Sequence, residues 1–160
     1  MKIRTLEARD IDSVVAIQSA CPEIAQWTMW DYDRVARGEM SGWVCERVAA
    51  IEEVAAGKGV AGFLVARRIA NDLEILNFAV SPELRRCGAG ALLLGAALDW
   101  GNSFRAEAAI LEVRESNLAA LRFYDRHGFH VMGRRPRYYT APIENALLLI
   151  APLAGAAPDA

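Results

Sequence analysis

Apolar positions recur along this chain with two periods, and the switches between them outline its elements. Residues 2–7 predict a first strand. Ile11, Val14, Val15 and Ile17 then fall at helical spacing, with Asp10 placed to cap the helix and Pro22 to end it. Thr28 opens a second helical stretch reaching Ala36, and Gly38 supplies its stop. Residues 43–48 read as a strand, and the polar, glycine-bearing residues 51–59 predict a mobile hairpin loop. Residues 60–69 and 73–80 predict two more strands joined through Asn71-Asp72, with Ser81-Pro82 ending the second. Ala89, Leu92, Leu93, Ala96, Ala97 and Trp100 repeat at three- and four-residue intervals, which predicts a helix with one buried face and Gly101 as its stop. Residues 108–113 read as a strand. Ser116 or Asn117 then caps a helix bearing Leu118, Leu121, Tyr124 and His127, and Gly128 ends it. Residues 129–132 start another strand, and residues 145–150 supply the last. The order β-α-α-β-β-β-α-β-α-β-β predicts an α/β fold, a mixed sheet flanked by helices, and excludes a repeat array or a helical bundle.

Composition narrows this picture. The chain has 160 residues, 54% of them apolar, enough for one domain with a sizeable core; residues 1–153 are expected to form it and 154–160 a disordered tail. Eighteen basic and 20 acidic side chains leave a formal charge of −2, so no direct nucleic-acid role is expected. The only dense basic cluster late in the chain is Arg134-Arg135-Pro136-Arg137. Cys21, Cys45 and Cys87 match neither a zinc pattern nor a disulfide framework and fit a reducing cytoplasm. Met1-Lys2-Ile3-Arg4 runs into a polar segment, and the apolar stretches are too short or too glycine-rich for a membrane helix. The expectation is a cytoplasmic protein without a membrane partner.

The most informative segment is Arg85-Arg86-Cys87-Gly88-Ala89-Gly90, set between a strand and a helix. Glycines there permit positive φ or close backbone approach, and successive N–H groups ahead of a helix N-terminus suit a phosphate. A solvated turn is the bland alternative. The segment lacks the full Gly-x-Gly-x-x-Gly dinucleotide fingerprint and the Lys-Ser/Thr ending of a nucleotide triphosphatase.

Four segments, in order, carry a resemblance. They are Leu76-Asn77-Phe78-Ala79-Val80-Ser81-Pro82, the loop 85–90, residues 111–124 with Leu111-Glu112-Val113-Arg114-Glu115-Ser116-Asn117 at their head, and Gly133-Arg134-Arg135-Pro136-Arg137-Tyr138-Tyr139. Together they resemble the GNAT acetyltransferase superfamily, and within it the bacterial ribosomal-protein alanine N-acetyltransferases. The likeness covers most of residues 2–150 and is strongest over 74–139. It implies the GNAT (acyl-CoA N-acyltransferase) fold with a mostly antiparallel central sheet, acetyl-CoA as donor and CoA as product. It places the backbone of Phe78, Ala79 and Val80 against the acetyl and pantetheine groups. It assigns Arg85, Arg86, Cys87, Gly88, Ala89, Gly90 and Ala91 to the pyrophosphate, with Asn117 and Tyr124 also on the donor. The implied acceptor is a protein N-terminal peptide, that of a small-subunit ribosomal protein headed by alanine, walled by Trp27, Tyr138 and Tyr139. Glu23 and Glu144 are further candidates to meet a cationic peptide. Cys87 stands where the family often has a polar residue, Pro136 interrupts the Arg/Tyr segment, the link from Tyr139 to Glu144 is short, and only Ala25-Gln26-Trp27 stands where the family has Phe-Pro-Trp. All but the first of these departures lie on the acceptor side.

Acetyl transfer to an amine needs a base and a proton for the departing thiolate. An α-amine with a pKa near roughly 8 asks only for a modest base. Period two places Ala108, Ile110 and Glu112 on one face of their strand, so Glu112 is the candidate base; a water-facing edge residue, or a partner for Arg114 or Arg122, explains it too. Tyr124 is the candidate acid, with core packing beside Leu121 and His127 as the plain alternative, and Asn117 serves equally as a helix cap. Asp31 and Asp33 read as helix surface, His127 and His130 lack a ligand set, and Cys87 lacks a histidine partner, so neither a metal nor a covalent nucleophile is expected. Other acceptors (a different protein N-terminus, a lysine, a small amine) and a non-catalytic acyl-CoA-binding module are the competing functions.

Overall fold

The computed structural model describes residues 1–47 and 59–156. Val48, the expected loop 51–59 apart from Gly59, and residues 157–160 lie outside the described residues. Among the described residues seven strands are seen: β1 (Lys2–Thr5), β2 (Ser41–Glu46), β3 (Val60–Ile69), β4 (Asp72–Val80), β5 (Ala108–Arg114), β6 (His130–Thr140) and β7 (Ile143–Pro152). They hydrogen-bond in the order β1-β2-β3-β4-β5-β7-β6. Pairing is parallel between β4 and β5 and antiparallel for β1–β2, β2–β3, β5–β7 and β6–β7. Helices α1 (Ile11–Ser19), α2 (Met29–Ala36), α3 (Ala89–Ser103) and α4 (Leu118–Arg126) flank this mixed, mostly antiparallel sheet. The chain groups into two compact units, residues 1–67 with 77–97 and residues 68–76 with 98–160.

In the first unit, β3 is buried on both faces over Phe63, Leu64 and Val65, and the Tyr32 ring meets Phe63 edge-on at 5.5 Å. Thr28 caps α2 as expected, accepting from the Asp31 N–H while the Asp31 carboxylate accepts the Thr28 N–H at 2.8 Å, a capping box. Gly38 follows with φ 84°. Asp10 does not cap α1 with its side chain. Its 2%-exposed carboxylate instead accepts two bonds of 2.7 Å from Arg4 and one of 2.8 Å from the Glu7 N–H, because a buried acid needs a cation and several donors. Glu46 takes the other side of the same guanidinium at 2.6 Å.

Helix α3 departs from expectation in phase and length. Ala89, Leu93, Leu94 and Ala97 are buried, whereas Leu92 is 46% exposed and Ala96 and Trp100 are half-buried. Three consecutive leucines, 92–94, leave helical periodicity unable to fix the phase. The helix passes Gly101 and ends at Ser103. Gly101 is buried, and a Cβ there would stand 3.1 Å from Leu73 and Leu153 side chains, so it serves close packing rather than termination.

In the second unit, Ala109, Leu111 and Val113 of β5 are buried and Ile110, Glu112 and Arg114 half-buried, matching the period-two reading from Ala109 on, while Ala108 at the strand's start is buried as well. Helix α4 buries only Tyr124, and Leu118 is 58% exposed, so its expected apolar stripe is not a core face. Strand β6, expected to start over 129–132, runs from His130 to Thr140, and β7 runs over Ile143–Pro152. The Arg/Tyr segment is therefore strand: an edge strand tolerates charge and proline, which hides it from hydrophobic patterning. Arg135 pairs with Ala146 and Tyr139 with Glu144, leaving Asn145 alone opposite Pro136, Arg137 and Tyr138. Arg137 takes φ 53° in this bulge, and its N–H donates to Asn145 Oδ1 at 3.0 Å. Ala154–Ala156 form a single 3-10 turn.

Candidate functional site

The donor residues implied by the resemblance lie mostly in the first unit. The end of β4 leads through Pro82–Leu84, a 3-10 turn, into the loop. Arg86 takes φ 66° and Gly88 φ 87°, two left-handed residues that turn the chain into α3. A Cβ on Gly88 would meet nothing within 4 Å, so the dihedral angle, not space, calls for glycine. The N–H groups of Ala89, Gly90 and Ala91 open a helix and lack intrahelical acceptors, and Arg86, Cys87 and Gly88 are exposed beside them. This arrangement fits a pyrophosphate. Arg85 is committed elsewhere: its guanidinium donates to Glu23 at 2.7 Å, to Cys21 Sγ at 3.2 Å and to the Val80 carbonyl at 3.3 Å. It thus bolts the base of the loop to the turn after α1, and Glu23 is engaged by it. Burial pushes the Cys21 thiol up, away from thiolate reactivity.

Asn77, 4% exposed, joins β4 to the segment holding Trp27. Its amide donates to the Ala25 carbonyl at 3.1 Å and to the Tyr32 hydroxyl at 3.0 Å, and its Oδ1 accepts the Phe78 N–H at 3.1 Å. Gln18 completes the network: its Oε1 accepts from the Tyr32 hydroxyl at 2.5 Å and the Trp27 N–H at 2.9 Å, and its amide donates to the Trp27 carbonyl at 2.8 Å. Trp27 is half-buried with its ring 5.5 Å from that of Tyr32. Neither Gln18 nor Tyr32 stands out in the sequence; the one signal is a glutamine on the apolar face of α1, one residue after Ile17.

The second unit gathers the candidate proton-handling residues. The Glu112 side chain is 21% exposed, and its Oε1 lies 3.0 Å from Arg135 Nε. Neither Arg114 nor Arg122 is this partner. Tyr138 lies close enough to Glu112 for the carboxylate to raise its phenol pKa. Arg135 and Tyr138 lie three residues apart and would face opposite sides of a regular strand; the bulge between them resets the phase. Tyr139 is half-buried, its phenol pushed up to about 12 by burial and by the Glu112 charge, with Arg114 over its ring at 4.1 Å. Tyr124 is 6% exposed, packed on Phe123 and Phe129 at centroid distances of 5.4 Å. Burial raises its phenol well above the tyrosine range, so it is protonated at neutral pH. Asn117 caps α4, accepting from the Ala120 N–H at 3.2 Å. Glu144 takes the Ser116 hydroxyl at 2.7 Å and N–H at 3.2 Å, and the hydroxyl bond holds its carboxyl below the usual range. The role of Arg135 on Glu112 was not legible beforehand, because the bulge that brings it there has no hydrophobic signature. Among the described residues no three His, Cys, Asp or Glu side chains gather as a metal site would require, and no helix is long and apolar enough to cross a membrane.

Residues 11–129 match the Acetyltransferase (GNAT) family. The chain is 32% identical over 93 residues to the ribosomal protein bS18 alanine N-acetyltransferase of Haemophilus influenzae, covering 56% of this chain and 63% of that one. It is 31% identical over 96 residues to the Escherichia coli protein of the same name, covering 59% and 65%. It thus spans just under two thirds of the length of these relatives, and 21% of a further curated relative. The crystal structure of the E. coli ribosomal-protein-S18-alanine N-acetyltransferase superposes with a TM-score of 0.80 at 23% identity, over 99% of this chain and 97% of that one, a likeness of fold. With the family pattern running from α1 to the start of β6, this chain belongs to the GNAT acetyltransferase family.

Proposed function

We propose that this protein transfers an acetyl group from acetyl-CoA to a protein N-terminal α-amine, with the alanine-headed N-terminus of a small-subunit ribosomal protein as acceptor. The observation that carries the reading is the Glu112 carboxylate, half-buried near the end of β5, in a chain of the GNAT family. The names of the Haemophilus and E. coli relatives support the acceptor.

Acetyl-CoA supplies an activated thioester carbonyl. The amides of residues 86–91 hold its pyrophosphate, and the backbone of Phe78, Ala79 and Val80 orients its pantetheine arm. Glu112 receives the acceptor's proton, directly or through water, in reach of a carboxylate that stays partly solvated. Tyr124 holds a proton on its hydroxyl for the departing sulfur; a phenol raised by burial keeps that proton through the neutral range. Trp27, Tyr138 and Tyr139 flank the acceptor.

The test is mass-resolved acetylation of an alanine-headed ribosomal N-terminal peptide beside the same peptide N-terminally blocked and one bearing only an internal lysine. Selective modification of the free α-amine, weakened by Glu112→Gln, is the expected result. Donor binding without transfer to any of them would point to a binding module, and modification of lysine alone would move the acceptor class.

A further inference from the structure

We infer that Arg135 is an internal stand-in for the acceptor's α-ammonium: its guanidinium rests on the carboxylate that the acceptor must reach, and acceptor binding exchanges one cation for the other. This inference rests on Glu112 being the acceptor-side acid of the proposed reaction.

The two partners are unequal. Glu112 sits on β5, which is paired with β7 through Leu148, and its side chain is 21% exposed. Arg135 sits on the edge strand with its side chain 58% exposed. When the pair parts, the long exposed side chain moves and the carboxylate stays. Arg135 also has somewhere to go, since its guanidinium already lies 5.6 Å from the Tyr138 ring centroid. Tyr138, also beside Glu112, has its phenol pKa raised, carries no charge and so does not compete as a cation. The neighbouring cations are otherwise engaged: Arg134 pairs with Glu115, and Arg114 stacks on Tyr139. Among the described residues Arg135 is therefore the cation on Glu112. A site that holds a guanidinium accepts an alkylammonium by the same charge and refuses a neutral, acylated terminus. It selects for a free N-terminus and releases one whose charge acetylation has removed. Because an exposed ion pair is weak, the competition costs the acceptor only about three- to fivefold in apparent affinity.

The full chain carrying Arg135→Ala tests this. The acceptor KM is expected to fall about three- to fivefold with kcat not reduced and the acetyl-CoA KM unchanged. Added guanidinium, matched against sodium chloride for ionic strength, should restore the higher KM competitively with peptide, and Arg135→Lys should retain it. A kcat loss, or an unchanged or higher KM, would overturn the inference in favour of an orienting or structural role. A second readout does not depend on turnover: calorimetric binding of alanine amide, a minimal α-ammonium. It should tighten in Arg135→Ala relative to the parent and be lost when Glu112→Gln is added. If the parent acetylates no α-amine, the proposed reaction fails, and this binding comparison still decides Arg135; equal binding by parent and Arg135→Ala overturns it.

Discussion

Tyr124 shows how one side chain's surroundings set its chemistry. Its ring packs against Phe123 and Phe129, and burial keeps the phenol protonated. Tyr124→Phe removes the hydroxyl and leaves the ring packing. The expected outcome is a kcat lower by about 100-fold, with the far-ultraviolet spectrum unchanged. Parental kcat in that variant would mean that the thiolate takes its proton from another source. Glu112 is a different case, with a partly solvated carboxylate between a guanidinium and a hydroxyl. Its place near the end of an otherwise apolar strand was readable from period two alone. Its partners were not, since both come from β6 across an intervening strand.

Among the elements, two glycines illustrate two separate demands on the backbone. Gly62 lies in β3 where a Cβ would stand 2.7 Å from the Ala79 carbonyl oxygen, a clash with backbone that no rotamer relieves. Gly88 has open space around it but φ 87°. Gly62→Ala is expected to destabilise by about 2–3 kcal/mol and Gly88→Ala by about 1 kcal/mol. Only the second should also weaken acetyl-CoA binding, because it distorts the loop ahead of α3. Denaturant midpoints and donor titrations of the two variants check both statements, and a larger stability loss at Gly88 would reverse the assignment. The Asn77 network belongs to this scale as well: Asn77→Ala strips a donor from the Ala25 carbonyl and a partner from Tyr32. A loss of about 2 kcal/mol is expected, read from the same midpoints. Variant stability equal to the parent would show that water replaces the amide.

Across the whole molecule, all four tyrosines have raised phenol pKa values. Burial is the leading cause for Tyr32, Tyr124 and Tyr139, and the Glu112 carboxylate for Tyr138. Unfolded phenols lose their protons near pH ~10, while the folded ones keep theirs. The folded chain then binds more protons than the unfolded one, so stability falls as pH rises past that point; below it, both states are protonated and these groups add no pH dependence. The expected Tm is level with respect to these groups up to about pH 9 and falls above about pH 10. Phenolate absorbance should appear together with unfolding, and Tyr32→Phe should blunt the fall. A phenol ionising at or below its ordinary pKa in the folded protein would contradict this.

Local pattern carried much of this protein. Hydrophobic period, caps and stops located the strands and helices in their order, because those signals act between residues a few positions apart. The glycine-bearing turn at 85–90 and the lone carboxylate of Glu112 on an apolar strand stood out for the same reason, whereas Tyr124 was singled out only by the family resemblance. Three leucines in a row left the phase of α3 open, since its burial depends on what lies against it. Asp10 took Arg4 and Glu7 in place of a cap because burial made a cation worth more than one helix N–H. The polar stretch 133–140 did not read as strand, since an edge needs no apolar face. Its bulge then brought Arg135 and Tyr138 to one carboxylate, and β7 came to lie between β5 and β6. A residue's tendency to lie inward is written in its near neighbours; what it touches there depends on strand order and register, which bring together residues far apart in the chain.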